Sequence, residues 1–78
     1  MEIERLVWYP ENMAKLTTHG VWPVEADAMI LEDRWVVDRI PGHPEQVRVI
    51  GYAAATRRLI TLVLDPTDDP VAWRPVTG

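Results

Sequence analysis

The chain has 78 residues, of which 47% are apolar and 26% charged, with no cysteine and a formal net charge of -4. That length holds a single domain, residues 1–78, with no disulfide or thiolate–metal cluster to reinforce a small core, and the apolar share excludes a disordered tail. No apolar run approaches the roughly 18 residues of a membrane span and Met-Glu-Ile-Glu-Arg is not a signal peptide, so a cytoplasmic protein with no membrane partner is expected.

Ile3 to Trp8 reads as a strand by its alternation. Pro10, favoured in the first turn of a helix, and Glu11, suited to the positive helix end, open a helix of about ten residues. Met13, Leu16 and His19 or Gly20 recur in it at helical spacing, and Gly20 supplies a left-handed stop. A second helix starts at Pro23, with Val24, Ala28 and Leu31 as its buried stripe, widened by Met29, and ends at Glu32-Asp33.

Arg34 to Ile40 is a strand, and Pro41-Gly42-His43-Pro44 a loop. Gln46 to Ala54 and Arg58 to Leu64 are two more strands, joined by a turn at Ala55-Thr56-Arg57. Leu59 to Leu64 is apolar on both faces, which marks the centre of a sheet. A polar loop follows from Asp65 to Pro70. Val71 to Thr77 is the last strand, and Pro75 within it points to an edge or a strand end. The order β-α-α-β-β-β-β predicts an α+β domain: an antiparallel sheet of about five strands with both helices on one face.

The charge is uneven. Residues 1–33 hold seven acids against Arg5 and Lys15, whereas residues 34–78 hold five acids against six arginines and no lysine. Arginine suits bidentate contact with phosphate or carboxylate. Arg48 shares a strand face with Gln46, Ile50 and Tyr52, and Arg74 sits beside Trp73; such a pair either clamps a phosphodiester or pairs with Asp38, Asp65 or Glu45. Arg57-Arg58 reads as a solvated turn.

His19, at a helix C-terminus ahead of Gly20, is either a proton-transfer group or a capping residue. His19 and His43 lie outside any metal-ligand spacing, so no metal or cofactor is expected. The four tryptophans read mostly as core, but Trp22 gains nothing at a helix N-cap and suggests tertiary or partner packing.

The order of these residues resembles the BrnT-type toxins of bacterial type II toxin–antitoxin systems. The resemblance is carried by Trp8-x-x-x-Asn12, Leu16-x-x-His19-Gly20-Val21, Glu25-Ala26, Glu45 to Gly51, Arg58-Leu59-Ile60 and Arg74-Pro75-Val76-Thr77. It implies a RelE-like fold and a ribonuclease neutralised by an antitoxin from a neighbouring gene. Its RNA cleavage proceeds by attack of a 2′-hydroxyl on the adjacent phosphate, which needs a base, an acid and cations.

His19 or Glu45 then stands for proton transfer, and Arg48 and Arg74 for charge stabilisation. Thr18 replaces the family's usual lysine, Gln46 stands where an arginine is common, and a C-terminal arginine and helical segment have no counterpart. These departures predict a weakened nuclease. The alternative is a non-catalytic protein-interaction domain of the same fold, with apolar surface left for another chain, or for a second copy in a homodimer, to cover.

Overall fold

A computed structural model describes residues 1–77. Seven elements follow one another: β1 (Arg5–Leu6), α1 (Pro10–Thr18), α2 (Pro23–Leu31), β2 (Trp35–Ile40), β3 (His43–Ala53), β4 (Arg58–Pro66) and β5 (Ala72–Thr77). Class and element order are as expected from the sequence. The sheet order is β1-β5-β4-β3-β2, which puts the two-faced apolar strand β4 in the middle.

The sheet is not wholly antiparallel, however. β1 pairs parallel with β5, Arg5 against Ala72 and Leu6 against Trp73, whereas β2 to β5 form an antiparallel meander. The helical pair carries the chain from one edge of the sheet to the other, so β1 meets the last strand of the meander rather than the first. The expected Ile3–Trp8 strand shrinks to two residues because the chain leaves the sheet at once for α1. Beyond Trp73, β5 therefore has no strand on its β1 side. Pro75, which has no N–H to offer, lies in that stretch, buried opposite Leu64 and next to a bulge in the β4–β5 pairing.

Asn12 explains the geometry of α1. Its Oδ1 accepts the Tyr9 N–H (2.9 Å), one of the donors orphaned at a helix start, while its Nδ2 donates to the carbonyls of Val7 and Pro75 (both 3.0 Å). Asn12 and Leu16 form the buried side of α1, and Met13 is 41% exposed, contrary to the apolar spacing. The helix stops as expected at Gly20, whose φ of +84° is left-handed.

In α2 the expected stripe faces the wrong way, except for Met29, which is buried as expected. Val24 and Leu31 are 75% and 83% exposed, and the buried residues are Glu25, Ala26, Met29 and Ile30. Helix α2 is apolar nearly all round, so periodicity alone does not select a face. A carboxylate does. Glu25 Oε1 and Oε2 receive Arg58 Nη2 (2.5 Å) and Nε (2.9 Å), Thr56 donates its hydroxyl to Oε2, and Arg58 Nη2 also reaches the Gly20 carbonyl. Turning Glu25 toward β4 rotates the helix by about 100°, one residue's worth. Arg58, read as a solvated turn, is thus a tertiary contact.

Ala26, Met29, Ile30 and Leu16 pack on Val47, Val49, Ala53, Ile60, Leu62 and Leu64, which alternate along β3 and β4. Both helices therefore cover one face of the sheet. Gly51 lies beneath α2, where a Cβ would meet the Met29 side chain and the Arg34 carbonyl oxygen at 2.6 Å. Three tryptophans serve the interior: Trp73 is buried and Trp8 and Trp35 pack against the core, whereas Trp22 is 58% exposed. Among the described residues, no helix is long and apolar enough to cross a membrane.

Two predictions follow from the packing and the ion pair. Gly51→Ala, blocked by backbone, destabilises by about 2–3 kcal/mol, whereas Gly20→Ala, with open space but a left-handed φ, costs about 1 kcal/mol; thermal melts of both variants check the order. Glu25 is held well below the usual carboxylate range, at about 2, by its hydrogen bond from Arg58 against the opposing effect of burial. A depressed carboxylate contributes stability fully above pH 4.5 that is lost as pH falls through 2. With Arg58 43% exposed and screening the pair, that contribution is about 2 kcal/mol. Denaturant titrations from pH 5 to pH 2 should show wild type losing that much more stability than Glu25→Gln.

Candidate functional site

The sheet face away from the helices is open, and cross-strand pairing orders it in rows. One row runs Asp38, Arg48, Val63; the next Val36, Ile50, Thr61; the next Tyr52, Leu59. The last two rows are mostly apolar apart from Arg34, which stands opposite Tyr52, and the other charged side chains gather at the far end.

That polar end is built on Asp65. Arg74 Nη2 donates to Asp65 Oδ2 (2.6 Å) and Gln46 Nε2 to Asp65 Oδ1 (2.8 Å), so three side chains on three adjacent strands form a continuous polar row. Burial pushes the Asp65 carboxyl up, but hydrogen bonds from Arg74 and Gln46, the Arg74 charge and nearby His43 together bring it below its ordinary value. Arg74 is raised, first by its bond to Asp65 and then by the Tyr9 phenol beside it.

His43 arrives there through an irregularity in β3. The expected loop at residues 41–44 is a two-residue hairpin, Pro41-Gly42, because His43 already pairs with Ile40. Arg39 then pairs with Val47, which leaves Pro44, Glu45 and Gln46 without partners on β2. This bulge re-aims the strand and forms one wall of a shallow open cleft of about 360 Å³ lined by Gly42 to Gln46 and Asp65.

The four residues singled out from sequence fare differently. Arg74 is in the polar row, and Glu45 is exposed on the rim of the cleft. Arg48 lies on the same open face, one row along and roughly 12 Å from Arg74 between Cα atoms, on strand spacings. It is bonded to Asp38, which that contact holds below its ordinary value. Both arginines thus pair with the carboxylates the sequence offered, Arg48 with Asp38 and Arg74 with Asp65, while the Nε of each is buried without a partner.

His19 is not part of this group. It is exposed at the C-terminus of α1, where its N–H bonds to the carbonyls of Leu16 (3.0 Å) and Lys15 (3.2 Å). The next residue, Gly20, is tied to Arg58 at the start of β4. Asp65 lies seven residues further along that strand, about 20 Å away.

Sequence reading passed over Tyr9, His43, Gln46 and Asp65 as site residues. The register held the signal: counting back from the Ala53–Arg58 pair places Arg48 against Val63 and brings Gln46 to Asp65. The bulge that delivers His43 has no comparable mark beyond its flanking prolines.

Carboxylate, amide and imidazole lining an open cleft, with an arginine bonded to the carboxylate and a phenol beside that arginine, can bind a phosphate oxygen and move a proton. Among the described residues, no three His, Asp or Glu side chains group in a way that would hold a metal ion. Comparison with protein-family models, curated proteins and solved structures gives no match to this chain.

Proposed function

We propose that this chain is a BrnT-like toxin component that cleaves RNA at the polar end of its open sheet face, and that an antitoxin from a neighbouring gene neutralises it. The observation that carries the reading is the gathering of His43, Gln46 and Asp65 on one cleft, with Arg74 bonded to Asp65 and the Tyr9 phenol beside Arg74. Attack of a 2′-hydroxyl on its own phosphate needs proton transfer and a cation for the extra charge on the phosphate. His43 takes the proton-transfer role, in place of the distant His19. Arg74, oriented by Asp65, carries the charge, with Glu45 on the rim and Arg48 one row along.

Pairing with Asp65 and Asp38 tempers both arginines, because an incoming phosphate competes with carboxylates already in place. Slow turnover is the consequence. A second reading, a protein-interaction domain without catalysis, draws on the apolar end of the same face, where Val36 and Leu59 are 65% and 74% exposed.

The purified chain incubated with a labelled RNA should yield fragments ending in a 2′,3′-cyclic phosphate. His43→Ala and Arg74→Ala should each slow cleavage by about 100-fold, whereas His19→Ala should leave the rate within about twofold. Loss with His19→Ala and none with His43→Ala would sink this site. No cleavage by the wild type would leave the interaction reading.

A further inference from the structure

β2 is the end strand of the sheet, and among the described residues no strand lies against its outer side. The Arg34 carbonyl accepts the Tyr52 N–H (3.0 Å), so Arg34 continues the pairing of β2 with β3. In an antiparallel ladder the direction of the backbone groups alternates. Arg34, Val36 and Asp38 therefore turn their N–H and C=O inward or along β3, and those of Trp35, Val37 and Arg39 point to the bare edge. Edge strands are commonly protected by lysine, proline or a bulge in mid-strand. Trp35–Ile40 contains no lysine or proline, and its one irregularity falls at its end, between Arg39 and Ile40. Val36 and Val37 are both exposed.

The segment Arg34-Trp35-Val36-Val37-Asp38 is its own complement. Laid antiparallel on a second copy with Val36 opposite Val36, it sets Arg34 against Asp38, Trp35 against Val37, and the same pairs again beyond the two-fold axis. Strand alternation puts Arg34, Val36 and Asp38 on one face, so each basic residue meets its acidic counterpart on the same side of the sheet. Other registers lack this match. Centring on Val37 opposes Val36 to Asp38 and Trp35 to Arg39, and centring on Asp38 opposes two aspartates.

We propose that two copies of this chain join edge to edge through β2, in the register centred on Val36, to make one continuous ten-stranded sheet. The outward N–H and C=O groups of Trp35 and Val37 supply the intermolecular hydrogen bonds, and two Arg34–Asp38 pairs, in which Asp38 shares its carboxylate with Arg48 of its own chain, fix the register. A strand pair of this length is at the small end of stable interfaces, so the dimer forms with rising concentration. The proposal is independent of RNA cleavage.

Sedimentation velocity of the full chain between about 5 μM and about 1 mM covers the affinity range of such a contact. The mass should rise from 8.9 kDa toward twice that value. Arg34→Asp should weaken association by about tenfold, because it replaces two attractive pairs by two repulsive ones, and Arg34→Lys should leave it nearly unchanged. Arg34 makes only a 3.8 Å contact with Glu32, so its replacement leaves the fold intact.

The chain has no cysteine, so Val36→Cys adds a lone thiol. Facing its counterpart at the Cβ separation of about 5 Å between opposed residues, it should oxidise to a disulfide-linked dimer, whereas Val24→Cys, equally exposed on α2, should not. A wild type that stays monomeric at the highest concentration overturns the proposal. So does a dimer indifferent to Arg34→Asp, or cross-linked equally by both cysteines.

Discussion

Burying one carboxylate organises this small domain. Glu25 has a side chain only 2% exposed, and an ionised group in that position is tolerated only if it is paired and hydrogen-bonded. Its partners, Thr56 and Arg58, come from the turn between β3 and β4 and the start of β4, and Arg58 also holds the Gly20 carbonyl between the helices. Satisfying Glu25 thus sets which side of α2 faces the sheet and where the helical pair sits above it. Ala26, Met29 and Ile30 then reach the core, and Gly51 makes room for Met29.

The same rule governs the other arginines. Of the six between residues 34 and 78, Arg48, Arg58 and Arg74 have close carboxylate partners and Arg34 a looser one. The basic half of the sequence is therefore not a free phosphate-binding surface. Much of its positive charge is held along the sheet in pairs, and around Asp65 an arginine and an amide are bonded to one carboxylate that lines an open cleft with a nearby imidazole. An anion entering there would meet an arginine already bonded to a carboxylate.

Much of the architecture was legible because it rests on local signals. Prolines at the helix starts, the left-handed glycine at the end of α1 and the apolar run of β4 each act through nearby backbone or through burial of the strand's helix-facing side. The failures share a cause as well. The face of α2, the contact made by Arg58 and the parallel β1–β5 pair are decided by residues far away in sequence. Arg48 and Arg74 meet two of the three carboxylates the sequence offers them, Asp38 and Asp65, since strand alternation limits what each reaches. His19 stands out locally as a histidine before a glycine but lies at the other end of β4 from Asp65, while the position of His43 depends on a bulge that alternation does not predict.

Pairing β1 with β5 has a consequence for how the chain reaches this structure. Residues 5 and 6 find their strand partners only at 72 and 73, and the Asn12 amide finds the Pro75 carbonyl 63 positions away. Contacts of such long sequence separation carry a large loop-closure cost and form slowly. When residues 35–66 have been made, Leu6 and Asn12 still lack their partners at 73 and 75. The helical pair must wait above a sheet whose last seam closes only after synthesis has passed β5.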